Sequence, residues 1–161
     1  MSDLELIKKE HKFITVLTIT GIALFIALGI AALALKEKTT GIVLIIAGLA
    51  YPWLFLDKRV YELGKAAKND SEDGGTITVK GKIFNLMLMK TDRKFDYIAK
   101  KTHEKKNRYI VFYDDGEGAK SCYGIFDKEA TDELEKNADK EYEIEMYENS
   151  TLIKSLTLVN K

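Results

Sequence analysis

The chain has one cysteine, one proline, one tryptophan and two histidines in 161 residues. A single thiol excludes an internal disulfide framework and suits a reducing compartment. Two distant histidines, His11 and His103, exclude an HxxxH-type metal site, and no CxxC or distal Glu completes another ligand set. Formal net charge is zero, which removes the whole-chain excess of cations expected of a general nucleic-acid binder. The chain also lacks the ingredients of a catalytic centre. It has no paired carboxylates at acid/base spacing, no nucleophile with an adjacent base, and no phosphate-cradling glycine loop. Non-enzymatic function without a cofactor is the expectation.

A more local absence sets the architecture. From Phe13 to Leu35 no residue is charged, and after Lys36-Glu37-Lys38 a second uncharged run extends from Thr39 to Leu56. As helices these runs reach about 34 and 27 Å, against a hydrocarbon core of about 30 Å. They predict a transmembrane helical hairpin (13–35 and 39–56), with Tyr51, Trp53, Lys58 and Arg59 as anchors at the membrane interface. A cleaved signal peptide is the competing account, with Lys8, Lys9 and Lys12 as its basic start and Ala32-Leu33-Ala34 as a cleavage site. The first run exceeds an ordinary signal core, and a second run follows it almost at once. The two outer flanks carry seven cations against Lys36 and Lys38 in the turn, so both termini are expected in the cytoplasm. Ala23, Ala27 and Ala31 form a small-residue stripe expected to pack on Gly41 and Gly48 of the second run. A homo-oligomer through the same stripe is the alternative. Pro52 stands near the end of the second run, where it removes one backbone donor and can kink the helix.

The rest divides into a charged flank (1–12), a juxtamembrane helix and linker (57–75) and a soluble β-domain (76–161). In the connector Val60, Leu63 and Ala67 recur at helical spacing, and Asn69 to Gly75 reads as a flexible polar break. After Gly75 the period changes to two. Ile77, Val79 and Ile83 fall on one side, with Gly81 marking a bulge. Tyr109 to Tyr113 is a β-rich core strand, Asp114-Asp115-Gly116-Glu117-Gly118 a turn, and Ser121 to Phe126 the returning strand. Asp127 is placed to cap a short helix over Lys128–Ala138. Tyr142, Ile144 and Met146 alternate with Glu143 and Glu145, and Leu152 to Val159 closes the sheet. The acidic turn is the nearest thing to a weak cation site, although it lacks the spacing of an EF-hand loop. Leu86, Met87, Leu88 and Met89 are apolar on both sides, which fits a core or a surface resting on lipid or a partner. The fold class expected is an α+β membrane protein: a two-helix hairpin followed by a small, mostly antiparallel, barrel-like domain of OB or SH3-like kind with one short helix.

The strings TVKGKIFN, RYIVFYDDG and EYEIEMYENSTLIKSL resemble the soluble domain of small uncharacterised bacterial membrane proteins. These join one or two transmembrane helices to an OB-like β-domain. The resemblance implies that fold and an inner-membrane location, and it carries no functional residues with it.

Charge is distributed unevenly along the soluble part. Lys90 to Arg108 holds eight cations against three acids, a net of +5. Asp114 to Glu148 holds thirteen acids against four lysines, a net of −9. Lys100, Lys101, Lys105, Lys106 and Arg108 are expected to face the anionic bilayer, and Glu133, Glu143 and Glu145 a protein partner. A solvated hairpin tip is the plainer alternative. A membrane-anchored OB-like module for nucleic acid is the second functional reading, and the −9 segment opposes it.

Overall fold

The structure is a computed structural model that describes residues 1–55, 58–89, 100–101, 105–138 and 140–159, excepting the side chains of 53–55. It falls into two compact units, His11–Glu62 and the pair of segments Met1–Glu10 with Leu63–Lys161. Both boundaries lie inside helices, because α1 runs unbroken from Asp3 to Ala34 and α3 from Lys58 to Asp73.

Helix α1 starts in a capping box. The Glu5 amide donates to Ser2 Oγ (3.2 Å) and the Ser2 amide returns to Glu5 Oε2 (3.3 Å). It stops in a Schellman turn, with Lys36 left-handed (φ 66°) and the Glu37 and Lys36 amides donating to Ala32 and Leu33 carbonyls. Of these helices, α1 is long and apolar enough to cross a membrane, and only 6% of its most apolar window is buried. Helix α2 (Lys38–Phe55) follows and continues through Pro52 in its last turn.

The two helices touch through glycines. A Cβ built on Gly29 would lie 2.9 Å from the Gly41 carbonyl oxygen, and one on Gly41 2.8 Å from the Gly29 oxygen. Gly48 meets Phe25 in the same way, and Gly21 meets the Tyr51 ring. Gly41 and Gly48 therefore lie in the contact, but the face of α1 they meet is Gly21, Phe25, Gly29 and Leu33. Ala23, Ala27 and Ala31 are exposed on other sides of the helix. The reason is steric: glycine permits backbone approach that an alanine methyl blocks. Gly29→Ala is accordingly expected to separate the helices and lower stability by about 1–3 kcal/mol. Ala27→Gly should stay near the cost of helix propensity alone, about 1 kcal/mol. Unfolding of the full chain in mild detergent checks both.

The β unit is one antiparallel five-stranded sheet in the order β3-β2-β1-β4-β5: β1 Thr76–Leu88, β2 Asn107–Asp114, β3 Ala119–Phe126, β4 Glu141–Tyr147 and β5 Ile153–Leu158. Its long first strand serves both halves. Residues Thr76 to Lys82 pair with β4, and Lys82 to Leu88 pair with β2. The handover is at Gly81, where a side chain would strike the Asp114 carbonyl at 2.8 Å. The register shift expected at Gly81 falls instead between Ile83 and Asn85. Helix α4 (Lys128–Lys136) enters between β3 and β4 with Asp127 accepting from the Ala130 amide (2.8 Å), and it buries Leu134. Ile83, Val111, Tyr113, Cys122, Tyr142, Ile144, Met146 and Ile153 join Leu134 in the core.

Two expectations are corrected by this arrangement. The sheet is not closed into a barrel. Among the described residues its outer edges are joined by one isolated bridge, between Tyr123 of β3 and Leu152 just before β5, with the Tyr123 amide donating to Thr151 O (3.0 Å). The predicted flexible break is also helix, since α3 continues to Asp73. Asp70 within it is buried and accepts from the Asn149 amide (2.9 Å), Asn149 Nδ2 (2.9 Å) and the Ser150 amide (2.8 Å). A buried carboxylate with three donors holds the turn after β4 and gives the polar stretch a tertiary reason to remain helical.

Candidate interaction surfaces

Strand β2 alternates between two faces. Tyr109, Val111 and Tyr113 enter the core, while Arg108, Ile110 and Phe112 point to the other side. Arg108 is not on the surface: it is 3% exposed and its Nη1 donates to Glu10 Oε2 at 2.7 Å, with Glu10 1% exposed. The two desolvated charges are paired with each other, so this arginine is not offered to lipid. Lys106 is also engaged, to Asp3 Oδ1 at 2.9 Å, and is partly exposed. Lys100, Lys101 and Lys105 are exposed. Of the basic stretch from Lys90, residues 90–99 and 102–104, His103 included, lie outside the described residues. The first ten residues, read from sequence as a charged flank, thus belong to the β unit. Leu4, Leu6 and Ile7 are buried along with Glu10.

The acidic side is more neutralised than its sequence charge suggests. Glu145 accepts from Lys154 Nζ (2.7 Å) and Ser155 Oγ (2.8 Å), and the lysine above all holds its carboxyl below the usual range. Glu143 is exposed and stands directly across from Lys80 in the ladder, as Glu141 does from Lys82. Glu133 is exposed on α4. Burial foremost, then the Glu133 charge, raises the Tyr142 hydroxyl.

The acidic turn is occupied by its own chain. The Gly116 amide donates to Asp114 Oδ1 (2.9 Å), the Glu117 amide to Asp115 Oδ1 (3.1 Å), and Lys120 Nζ to both Asp115 and Glu117. Lys120 chiefly holds the Asp115 carboxyl low. Gly116 (φ 90°) and Gly118 (φ 141°) supply the backbone angles the turn needs. No group of three or more potential metal ligands occurs among the described residues. Cys122 is a buried free thiol pushed up by burial to about 12, so it holds no thiolate at neutral pH. His11 lies against Tyr61, with ring centroids 4.9 Å apart and ring planes tilted by 42°.

Among the expected interface anchors, Lys58 and Arg59 are exposed on α3. Tyr51 is half-buried, its ring over Gly21 and 5.9 Å from that of Phe25. The Trp53 side chain lies outside the described residues.

One surface has no counterpart among the polar candidates. On the outer face of β1 and β2, Phe84 is 53% exposed and stands 6.3 Å, centroid to centroid, from the half-buried ring of Phe112. Met87, 45% exposed, pairs across the ladder with Ile110. The sequence signal was the two-sided apolar run from Leu86 to Met89.

Comparison of the chain with protein-family models, with curated proteins and with solved structures finds no match. The functional reading therefore rests on the chain's own geometry.

Proposed function

We propose that the chain is a non-enzymatic integral membrane protein that holds a cytoplasmic β-domain ready for a protein partner, as a scaffold, regulatory subunit or immunity-type protein. The observation that carries this is the uncovered apolar surface of the first two helices. Leu24, Leu28 and Ile30 of α1 and Ile42, Val43, Ile46 and Leu49 of α2 are all about half or more exposed. A pair of helices apolar all round is stable where the solvent is hydrocarbon. In this reading α1 and α2 cross the bilayer as a hairpin. The β unit is of OB-like kind, supported by the shared first strand, the helix between β3 and β4, and the parallel approach of the outer strands. The non-enzymatic reading is supported by the buried, protonated thiol of Cys122 and by the engagement of the acidic turn with Lys120 and backbone amides.

Buried Cys122 would label slowly in either orientation, so topology needs introduced cysteines. Glu37→Cys, in the turn between α1 and α2, is expected to react with an impermeant maleimide in intact cells. Glu143→Cys should react only after permeabilisation. The reverse pattern overturns the cytoplasmic assignment, and release of the chain by alkaline carbonate overturns the integral one. A partner captured on the tagged full-length protein in mild detergent should be lost with Glu133→Lys/Glu143→Lys; retention removes the acidic face from the contact.

A further inference from the structure

We infer that the Phe84–Phe112 face of the β unit is a docking surface for an anionic lipid bilayer, its apolar side chains entering the headgroup region with Lys100, Lys101 and Lys105 beside them. The inference rests on the reading of α1 as a membrane span and adds a second membrane contact to it. Three observations converge.

The first is composition. Phe84, Met87, Ile110 and Phe112 make an apolar patch on the outer face, with Asn85 and Ser121 opposite Phe112 and the Lys82–Asp114 pair, its charges matched, at the far edge. Exposed aromatics on a surface without net charge fit an interface that is apolar on one side and wet on the other. The second is charge. At the end of the ladder where Met89 N donates to Arg108 O (3.0 Å), the chain entering β2 carries exposed Lys105, and Lys100 and Lys101 just before it are exposed as well. On the other half of the sheet each lysine stands opposite a glutamate, Lys80 with Glu143 and Lys82 with Glu141. The third is continuity. Arg108 is on the same face of β2 as Ile110 and Phe112, and it grips Glu10, three residues before the uncharged run begins at Phe13.

A register shift lies between Ile83 and Asn85, at Phe84. It inserts one extra residue in β1, and that residue is turned out of the core, where its ring meets Phe112. A protein partner of matching shape would fit the apolar rings alone. The adjoining lysines favour lipid, because phosphate headgroups answer both features at once.

The test uses the full chain in nanodiscs, with a fluorophore on Asn85→Cys, which leaves Phe84 and Phe112 in place, and doxyl-labelled lipid as quencher. In phosphatidylcholine discs containing phosphatidylglycerol, quenching at position 85 is expected to be severalfold above that of a label on Glu143→Cys. It should fall with Phe84→Ser. Lys100→Ala, Lys101→Ala and Lys105→Ala should each lower the docked-to-undocked ratio about fivefold. A label on Leu28→Cys reports the span itself. Quenching at 28 with none at 85 beyond that at 143 overturns the docking surface and leaves the span intact; no quenching at 28 overturns both. Shielding of position 85 from aqueous iodide without lipid quenching, or shielding by a single-stranded oligonucleotide, overturns lipid in favour of a second copy, a protein or nucleic acid.

Discussion

Arg108→Ala in the full-length protein is expected to destabilise the β unit by about 3–5 kcal/mol, the usual cost of breaking a buried ion pair by removing one partner. The charge left behind is the Glu10 carboxylate, 1% exposed, and the lost contact is 2.7 Å long. Water cannot solvate it without opening the surroundings of Leu6 and Ile7, both 1% exposed. Glu10→Ala should cost a similar amount, since it breaks the same buried pair from the other side. Replacing both together, Glu10→Leu with Arg108→Met, should restore most of the loss, because two apolar side chains need no partner. Lys106→Ala is the control. Its pair with Asp3 is partly exposed on both sides, and such pairs contribute about 0–1 kcal/mol. Hydrogen exchange of β2 amides in mild detergent reads the effect locally. Arg108→Ala no more damaging than Lys106→Ala would show that the buried pair does not hold the first turns of α1 to the sheet.

The pair also shows where a sequence stops being legible. Glu10 and Arg108 are separated by 98 positions, and nothing local ties them. What was readable is the stripe that carries Glu10: Ile7, Glu10 and Ile14 are spaced by three and four, and all are buried. Averaged composition hid it, because six lysines, glutamates and aspartates from Asp3 to Lys12 outweigh three apolar residues in a charge count but not in a helical projection. The same holds for α3, where Val60, Leu63 and Ala67 continue to Asp70 in the same spacing. A polar residue at the end of an apolar stripe looks like the end of the helix until its acceptors find donors. Strands, turns and caps were legible because their causes are local. Asp127 caps α4, the glycines of the acidic turn take positive φ, and Tyr142, Ile144 and Met146 point inward while Glu143 stays outside. Barrel closure was not, since it depends on how far β3 and β5 pair at the edges. The helix contact was half legible: small residues mark close approach, but only glycine allows the backbone spacing seen between Gly29 and Gly41.

Asp70→Ala is expected to be the second large effect, about 2–3 kcal/mol, since hydrogen bonds to charged groups are worth more than neutral ones and three donors lose their acceptor together. The donors are the backbone amides of Asn149 and Ser150 and the Asn149 side chain. Their loss should loosen the turn between β4 and β5 first, so exchange of the 148–151 amides should rise before that of β2. Asp70→Asn keeps the size of the side chain but turns an NH2 group toward one of those donors, so it should recover only part of the loss. The pH dependence separates this role from simple packing. Burial raises the Asp70 carboxyl, but the hydrogen bonds from Ser150 and Asn149 outweigh burial and leave it below its ordinary 3.8. A carboxyl lowered in the folded state stabilises fully above its unfolded value. That contribution is lost as pH falls through the folded value. The gap in stability between the native chain and Asp70→Asn should therefore be constant through neutral pH and shrink only below about 4. A gap that does not change with acidification would mean the side chain acts by filling space, and the latch between α3 and the β4–β5 turn would have to be carried by the neighbouring Glu148 amide and Gly75 carbonyl, 3.1 Å apart.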